Sequence, residues 1–156
     1  MRDLITAWVV VFALLAMVGS APVRALPPVD LAVIVHAQAA TKQMSAIEME
    51  TLFTRAQTRW DDGSPIVPIN APPGSELRVE FDRVVLRLTP DEVGRFWIDR
   101  RVRGLGMPPR HVSEPATIVR VVEKLSGAIA YAPEALVRDA RVKVVARIRQ
   151  GKVLPP

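Results

Sequence analysis

Cysteine is absent from the 156-residue chain, which excludes a disulfide scaffold, a thiolate metal site, a cysteine nucleophile and a lipid-modified N-terminal Cys. Only two histidines occur, His36 and His111, too few for a His-rich metal centre. Aromatic residues make up 5% of the chain, too sparse for the stacking platforms that hold single-stranded nucleic acid. No G-x-S-x-G, H-E-x-x-H or G-x-x-x-x-G-K pattern is present, so the corresponding nucleophile elbow, zinc helix and phosphate loop are excluded. There is no internal repeat and no low-complexity linker. What is present is about one domain's length of chain, 49% apolar and 24% charged, an ordinary globular balance. The net charge is +5, and all but four of the 21 cations are arginine. Such an excess is a weak pointer to an anionic partner.

Residues 1–25 (MRDLITAWVVVFALLAMVGSAPVRA) read apart from the fold. A short start with Arg2 leads into an uncharged apolar run from Leu4 to Val18, then Gly19, Ser20 and the small-residue end Val23-Arg24-Ala25. That order is expected of a secretory signal peptide cut after Ala25. The competing reading is an uncleaved anchor, for which the run is at the short end of spanning length. The expected location is periplasmic or secreted, or membrane-anchored if the segment is retained. The membrane is then met only through this segment, and nucleic acid is not an expected partner.

From residue 26 to 156 a single domain is expected. Asp30–His36 (DLAVIVH) is a continuous, β-branched apolar run, the pattern of a strand covered on both faces. Ser45 and Glu48 form a capping box that opens a helix with Ile47, Leu52 and Phe53 inward, ending before the turn Trp60-Asp61-Asp62-Gly63. Pro65–Asn70 reads as a short strand that Pro68 places near an edge. Ser75 opens a helix whose apolar stripe is Leu77, Phe81, Val84, Val85 and Leu88, with Arg78, Glu80, Asp82, Arg83 and Arg87 on its remaining surface. Thr89, Pro90 and Glu92 restart a helix with Val93, Phe96 and Trp97 inward. Ser113 caps a further helix with Ile118, Val122 and Leu125 inward, ended by Gly127. Ala128–Tyr131 and Val142–Ile148 read as strands, with a short helical stretch after Pro133 and a frayed tail from Gly151. Strands alternating with helices predict an α/β layered fold, a mixed sheet flanked by helices.

Candidate functional residues are few. Pro72-Pro73-Gly74-Ser75 stands at a helix start, where unpaired amides and a partial positive charge favour phosphate, sulfate or carboxylate. Ser75 equally serves as a plain cap, and Glu76 just inside the helix competes for the same field. Arg78 and His36, the latter closing the first strand where α/β folds often meet ligands, complete the candidate anion-binding set with Gly74 and Ser75. Arg95, Arg100, Arg101, Arg103 and Arg110, beside His111, offer guanidinium forks for carboxylate or phosphate, or else a solvated helix face partly neutralised by Asp91, Glu92 and Asp99. Asp61 and Asp62 fit turn formation better than acid–base work. No catalytic set, metal or cofactor is expected.

Taken in order, DLAVIVH, LFTRAQTRWDDGSPIVPIN, APPGSELRVEFDRVVL, FWIDRRVRGLGMPP and VEKLSGAIAYAP resemble the phosphate-binding substrate-binding proteins of ABC transporters, over roughly residues 29 to 135. More narrowly, the chain resembles the short, single-lobe phosphate ABC transporter substrate-binding-like proteins. The resemblance implies one α/β lobe of a type II periplasmic binding fold, with ligand held at helix N-termini. Full-length members close two such lobes on the anion, and this chain has length for one. Gly74 and Ser75 match the family's phosphate loop. Ala71 and Pro73 stand where its Arg and Asp would be, and Glu76 and Leu77 replace its second Gly and its Thr. The expected function is therefore an exported solute-binding-like protein with weak affinity for phosphate or a similar oxyanion. The alternative is a non-enzymatic interaction domain that contacts an envelope partner such as a sensor or a transporter permease.

Overall fold

The computed structural model describes residues 29–156. The expected signal peptide, residues 1–25, lies outside the described residues. Among the described residues six strands form one mixed sheet: β1 (Leu31–His36), β2 (Val67–Asn70), β3 (Arg110–His111), β4 (Ala128–Pro133), β5 (Val142–Arg149) and β6 (Lys152–Leu154), in the order β3-β2-β4-β1-β5-β6. β1 is antiparallel to both β4 and β5, while β2 runs parallel to β4 and to β3. The helices are α1 (Ala46–Phe53), α2 (Glu76–Phe81), α3 (Pro90–Val102) and α4 (Pro115–Lys124). A π-helical turn, Asp82–Leu86, continues α2 and ends at Arg87 in the left-handed region.

β1 is central and buried from Leu31 to Val35, which explains its unbroken apolar sequence. Between β2, β4 and the helices lies an aromatic cluster. Phe81 of α2 stacks on Tyr131 of β4 at 4.0 Å between centroids, and Phe53 of α1 packs on Phe81 at 4.5 Å. Each such contact is worth roughly 0.5–1.5 kcal/mol beyond the area it buries. The Tyr131 hydroxyl donates to Asn70 Oδ1 at 3.3 Å and accepts from the Ala71 N–H at 3.2 Å. This ties the end of β2 to the middle of β4, and burial pushes the Tyr131 phenol well above its ordinary range.

Both capping boxes form as expected, at Ser45–Glu48 and Thr89–Glu92, the latter with Pro90 opening the helix. Elsewhere packing shifts the pattern. Ile47 and Leu125 face solvent, and Met49 and Val119 are buried in their helices instead. Glu114, not Ser113, precedes α4, and its side chain makes no capping bond. Gly127 does not cap α4. It admits the lead-in to β2, since a Cβ there would meet the Pro65 carbonyl oxygen at 2.2 Å. The tail is not frayed: Gln150 and Gly151, both at positive φ, turn the chain so that β6 pairs with β5. The largest departure is on α2. Arg78, Glu80 and Asp82, expected on a wet face, are buried, whereas Leu77, Val84 and Leu88 are half-buried.

Candidate functional site

β2 delivers the chain to the loop that carries Gly74 and Ser75. Gly74 has φ +78°, a conformation that glycine adopts without strain, and this positions Ser75 to open α2. The Ser75 hydroxyl donates to the Pro72 carbonyl at 2.8 Å and accepts from the Arg78 N–H at 3.4 Å. Ser75 is thus a helix cap, and Glu76 places a carboxylate in the first turn.

His36 does not join this loop. It closes β1, which is antiparallel to β4; β2 runs with β4, and its first residue, Val67, pairs with Ala128 at the start of β4. Val35 pairs with Ile129, so His36 stands at the end of the sheet opposite Asn70 and Gly74. There its Nδ1 accepts from the Gln38 N–H at 3.3 Å. The sequence places His36 at a strand's C-terminal end, but only strands running with β2 bring that end to the α2 loop.

Arg78 lines the same cleft as Gly74, paired with Asp82. Its Nε donates to Asp82 Oδ2 at 2.5 Å, with both side chains nearly closed off from water. The other carboxylate oxygen, Asp82 Oδ1, is buried without a partner, as is the indole Nε1 of Trp97 on α3. Burial raises the Asp82 carboxyl above its ordinary value, and the Arg78 guanidinium only partly opposes this. Gly74, Arg78, Asp82, Gly94 and Trp97 all line one cleft of about 200 Å³ between α2, α3 and the Pro108–His111 segment. The signal that could have found the pair is the four-residue spacing of Arg78 and Asp82, which puts them on one helix flank.

The arginine group does not converge. Arg103 pairs with Asp99 at 2.9 Å, and Arg100 lies over the Phe96 and Trp97 rings while donating to the Leu105 carbonyl. Arg95, Arg101 and Arg110 are exposed, as is His111 at the cleft edge. Asp62 is a turn residue, its Oδ1 accepting from the Ser64 N–H and hydroxyl. Among the described residues, no group of three His, Cys, Asp or Glu could hold a metal ion, and no helix is long and apolar enough to cross a membrane.

No protein-family model matches the chain, and no curated protein matches it in sequence. Solved structures do match in shape. A Clostridium perfringens protein described as a phosphate ABC transporter substrate-binding protein, with bound phosphate, superposes at a TM-score of 0.60 and 20% identity. That match covers 81% of this chain and 48% of the other. An ABC-type phosphate transport receptor from Vibrio cholerae gives 0.59 at 13% identity, covering 77% and 47%. PstS from Borrelia burgdorferi gives 0.59 at 11% identity, covering 75% and 47%. The fold is that of one lobe of these phosphate-transport binding proteins. This lobe spans about half the length of the chains it matches. Within it, the Gly74–Ser75 loop occupies the end of β2 and the start of α2.

Proposed function

We propose that the chain is an exported, non-enzymatic solute-binding-type domain, related to the substrate-binding proteins of phosphate ABC transporters and holding phosphate or a similar small oxyanion only weakly. The observation that carries this reading is the Gly74–Ser75 loop, opening a helix at the end of β2 in a fold shared with structurally similar proteins, one of them solved with bound phosphate. The weakness follows from what surrounds the loop. The Ser75 hydroxyl is engaged with Pro72 and the Arg78 amide, Arg78 Nε is engaged with Asp82, and Glu76 adds a like charge. A desolvated dianion left incompletely paired costs several kcal/mol, roughly. A periplasmic setting, reached through the N-terminal segment, and a transporter permease as partner belong to the same reading.

Isothermal titration with inorganic phosphate tests it. A dissociation constant in the millimolar range is expected, and a micromolar one overturns the weak-binding reading. The second reading, an interaction domain for an envelope sensor or permease, is favoured by Ile98, Val102, Leu105 and Met107, each more than half exposed near the end of α3. A thermal shift across phosphate, sulfate and carboxylates separates the two, because a bound anion stabilises the fold by mass action. An interaction domain gives no shift and a ligand-independent pull-down.

A further inference from the structure

We propose that the outward face of α3 and the loop after it rest on an anionic lipid bilayer, with apolar side chains inserted at the headgroup boundary and arginines on the lipid phosphates. This goes beyond the oxyanion reading, and the Gly74–Ser75 loop takes no part in it.

The first observation is where the charge lies. Taking Arg2, Arg24 and Asp3 from the chain's 21 cations and 16 anions leaves 19 against 15 in residues 29–156. From Arg95 to Arg110 stand five arginines against one acid, Asp99, so this short segment holds the whole surplus. Asp99 is itself taken by Arg103. Arg95, Arg101 and Arg110 are exposed and spread over the surface, which suits an extended anionic face better than one small anion. The second observation is apolar surface in the same place. α3 buries Val93 and Trp97, yet Ile98 and Val102, one turn apart and turned away from them, are 57% and 81% exposed. Arg95 and Arg101 each lie three residues from Ile98, so guanidinium groups flank the apolar pair. Leu105 and Met107 continue the patch, each more than half exposed. The backbone there is tied down. The Leu105 N–H donates to the Arg100 carbonyl at 2.8 Å, and the Arg100 guanidinium donates to the Leu105 carbonyl at 3.0 Å. The fold thus holds an apolar stripe out in water among cations, the pattern of a helix that lies in a membrane interface.

Shape is the third observation. Ile98, Val102 and Leu105 border neither neighbouring cleft, one lined by Gly94 and Trp97 and the other by Gly106 and Met107. The face is a ridge. Protein partners are anchored by side chains seated in pockets, whereas a bilayer takes projecting side chains with no matching shape. Arginine suits that boundary, because its stem lies along apolar surface while its head stays with the phosphates. The run Leu4–Val18, expected from its sequence to meet a membrane, brings the chain to such a surface.

The chain has no cysteine, so Val102→Cys carries one environment-sensitive fluorophore at a known place on the full chain. Lys152→Cys, on β6 at the opposite edge of the sheet from β3, is the control. Vesicles of phosphatidylcholine with an equal part of phosphatidylglycerol should shift the probe at position 102 to the blue and leave the one at 152 unmoved. Pure phosphatidylcholine should shift neither. Adding Arg95→Gln and Arg101→Gln should lower the ratio of shifted to unshifted probe about 25-fold at fixed lipid, about fivefold for each arginine near an anionic leaflet. Both arginines are exposed, so the thermal midpoint should hold. Raising salt from about 0.1 M to about 1 M, which shortens the screening length from about 10 Å to about 3 Å, should reverse most of the shift. Equal shifts on neutral and anionic vesicles, or at both positions, would each overturn the proposal. So would a shift that follows protein concentration without lipid, since a second copy would then cover the face. A chain held on vesicles by its N-terminal segment, with the probe at 102 still silent, overturns it too and leaves the face to an envelope protein.

Discussion

Arg78 and Asp82 stand one turn apart, their Nε and Oδ2 atoms 2.5 Å from each other and both side chains almost withdrawn from water. Removing two charges from water costs more than their attraction returns unless further hydrogen bonds complete the shell. Here Oδ1 of Asp82 has none. Burial dominates, so the carboxyl sits above its ordinary 3.8 in spite of Arg78. The two partners are therefore unequal: neutralising Asp82 is mild, whereas removing Arg78 strands a buried carboxylate.

Replacing Arg78→Met should destabilise the fold by about 3–5 kcal/mol at neutral pH. Asp82→Asn keeps an oxygen for Arg78 Nε and should cost about 1 kcal/mol or less. Urea midpoints at unchanged slope measure both. Equal losses would mean that the attraction outweighs burial after all.

The same pair gives a pH signature. A carboxyl whose pKa is higher folded than unfolded keeps its proton to higher pH in the fold. The stability it contributes is full below pH 3.8 and is lost as pH rises through the raised folded value. Glu134 behaves oppositely, since its bond from Arg149, with Arg147 adding, outweighs burial and holds its carboxyl below the ordinary 4.5. Its contribution is present above pH 4.5 and is lost as pH falls through the lowered folded value. Unfolding free energies measured from about pH 3 to 6 should therefore fall more steeply on the acid side for Asp82→Asn and less steeply for Glu134→Gln.

Gly127 offers a test of how β2 is held. Its carbonyl accepts from the Val67 N–H at 2.9 Å and from Trp60 Nε1 at 3.2 Å, and the Pro65 oxygen lies where a Cβ would go. Gly127→Ala must push the lead-in strand away from β4, at a cost of about 1–3 kcal/mol. A change in Trp60 fluorescence should accompany the loss, because its hydrogen bond ends on the displaced carbonyl.

Much of the layering was legible because β1 and the two capping boxes are local patterns. The unbroken, β-branched run Leu31–Val35 has the pattern of a strand covered on both faces, and Ser45–Glu48 and Thr89–Glu92 satisfy their own backbone. The site was less so. His36 lies at the other end of the sheet from Gly74 because strand direction is set by distant partners, and only a strand running with β2 ends beside the α2 loop. On α2, the 3.6-residue period assumes a regular helix with one wet face. A π turn follows Phe81, and there Leu86 joins Val85 in the core while Val84 and Leu88 are only half-buried. Packing from α3 and the Pro108–His111 segment then closes over Arg78 and Asp82, and no neighbour in sequence announces that.

Glu76 bears most directly on weak oxyanion affinity. It occupies the first turn of α2, where an unpaired carboxylate improves the helix through the partial positive charge of its start, by roughly 0.3–1 kcal/mol. The same charge repels an anion at Ser75. Two unit charges about 4 Å apart repel by about 1 kcal/mol even in bulk water, equivalent to about fivefold in affinity. Glu76→Gln should therefore tighten phosphate about fivefold while slightly lowering stability, as followed by titration and urea unfolding on the same variant. The gain should shrink as salt is raised, because an exposed repulsion is screened within about 10 Å at 0.1 M ionic strength. Unchanged phosphate affinity in this variant, at low and high salt alike, would place the anion elsewhere than the start of α2.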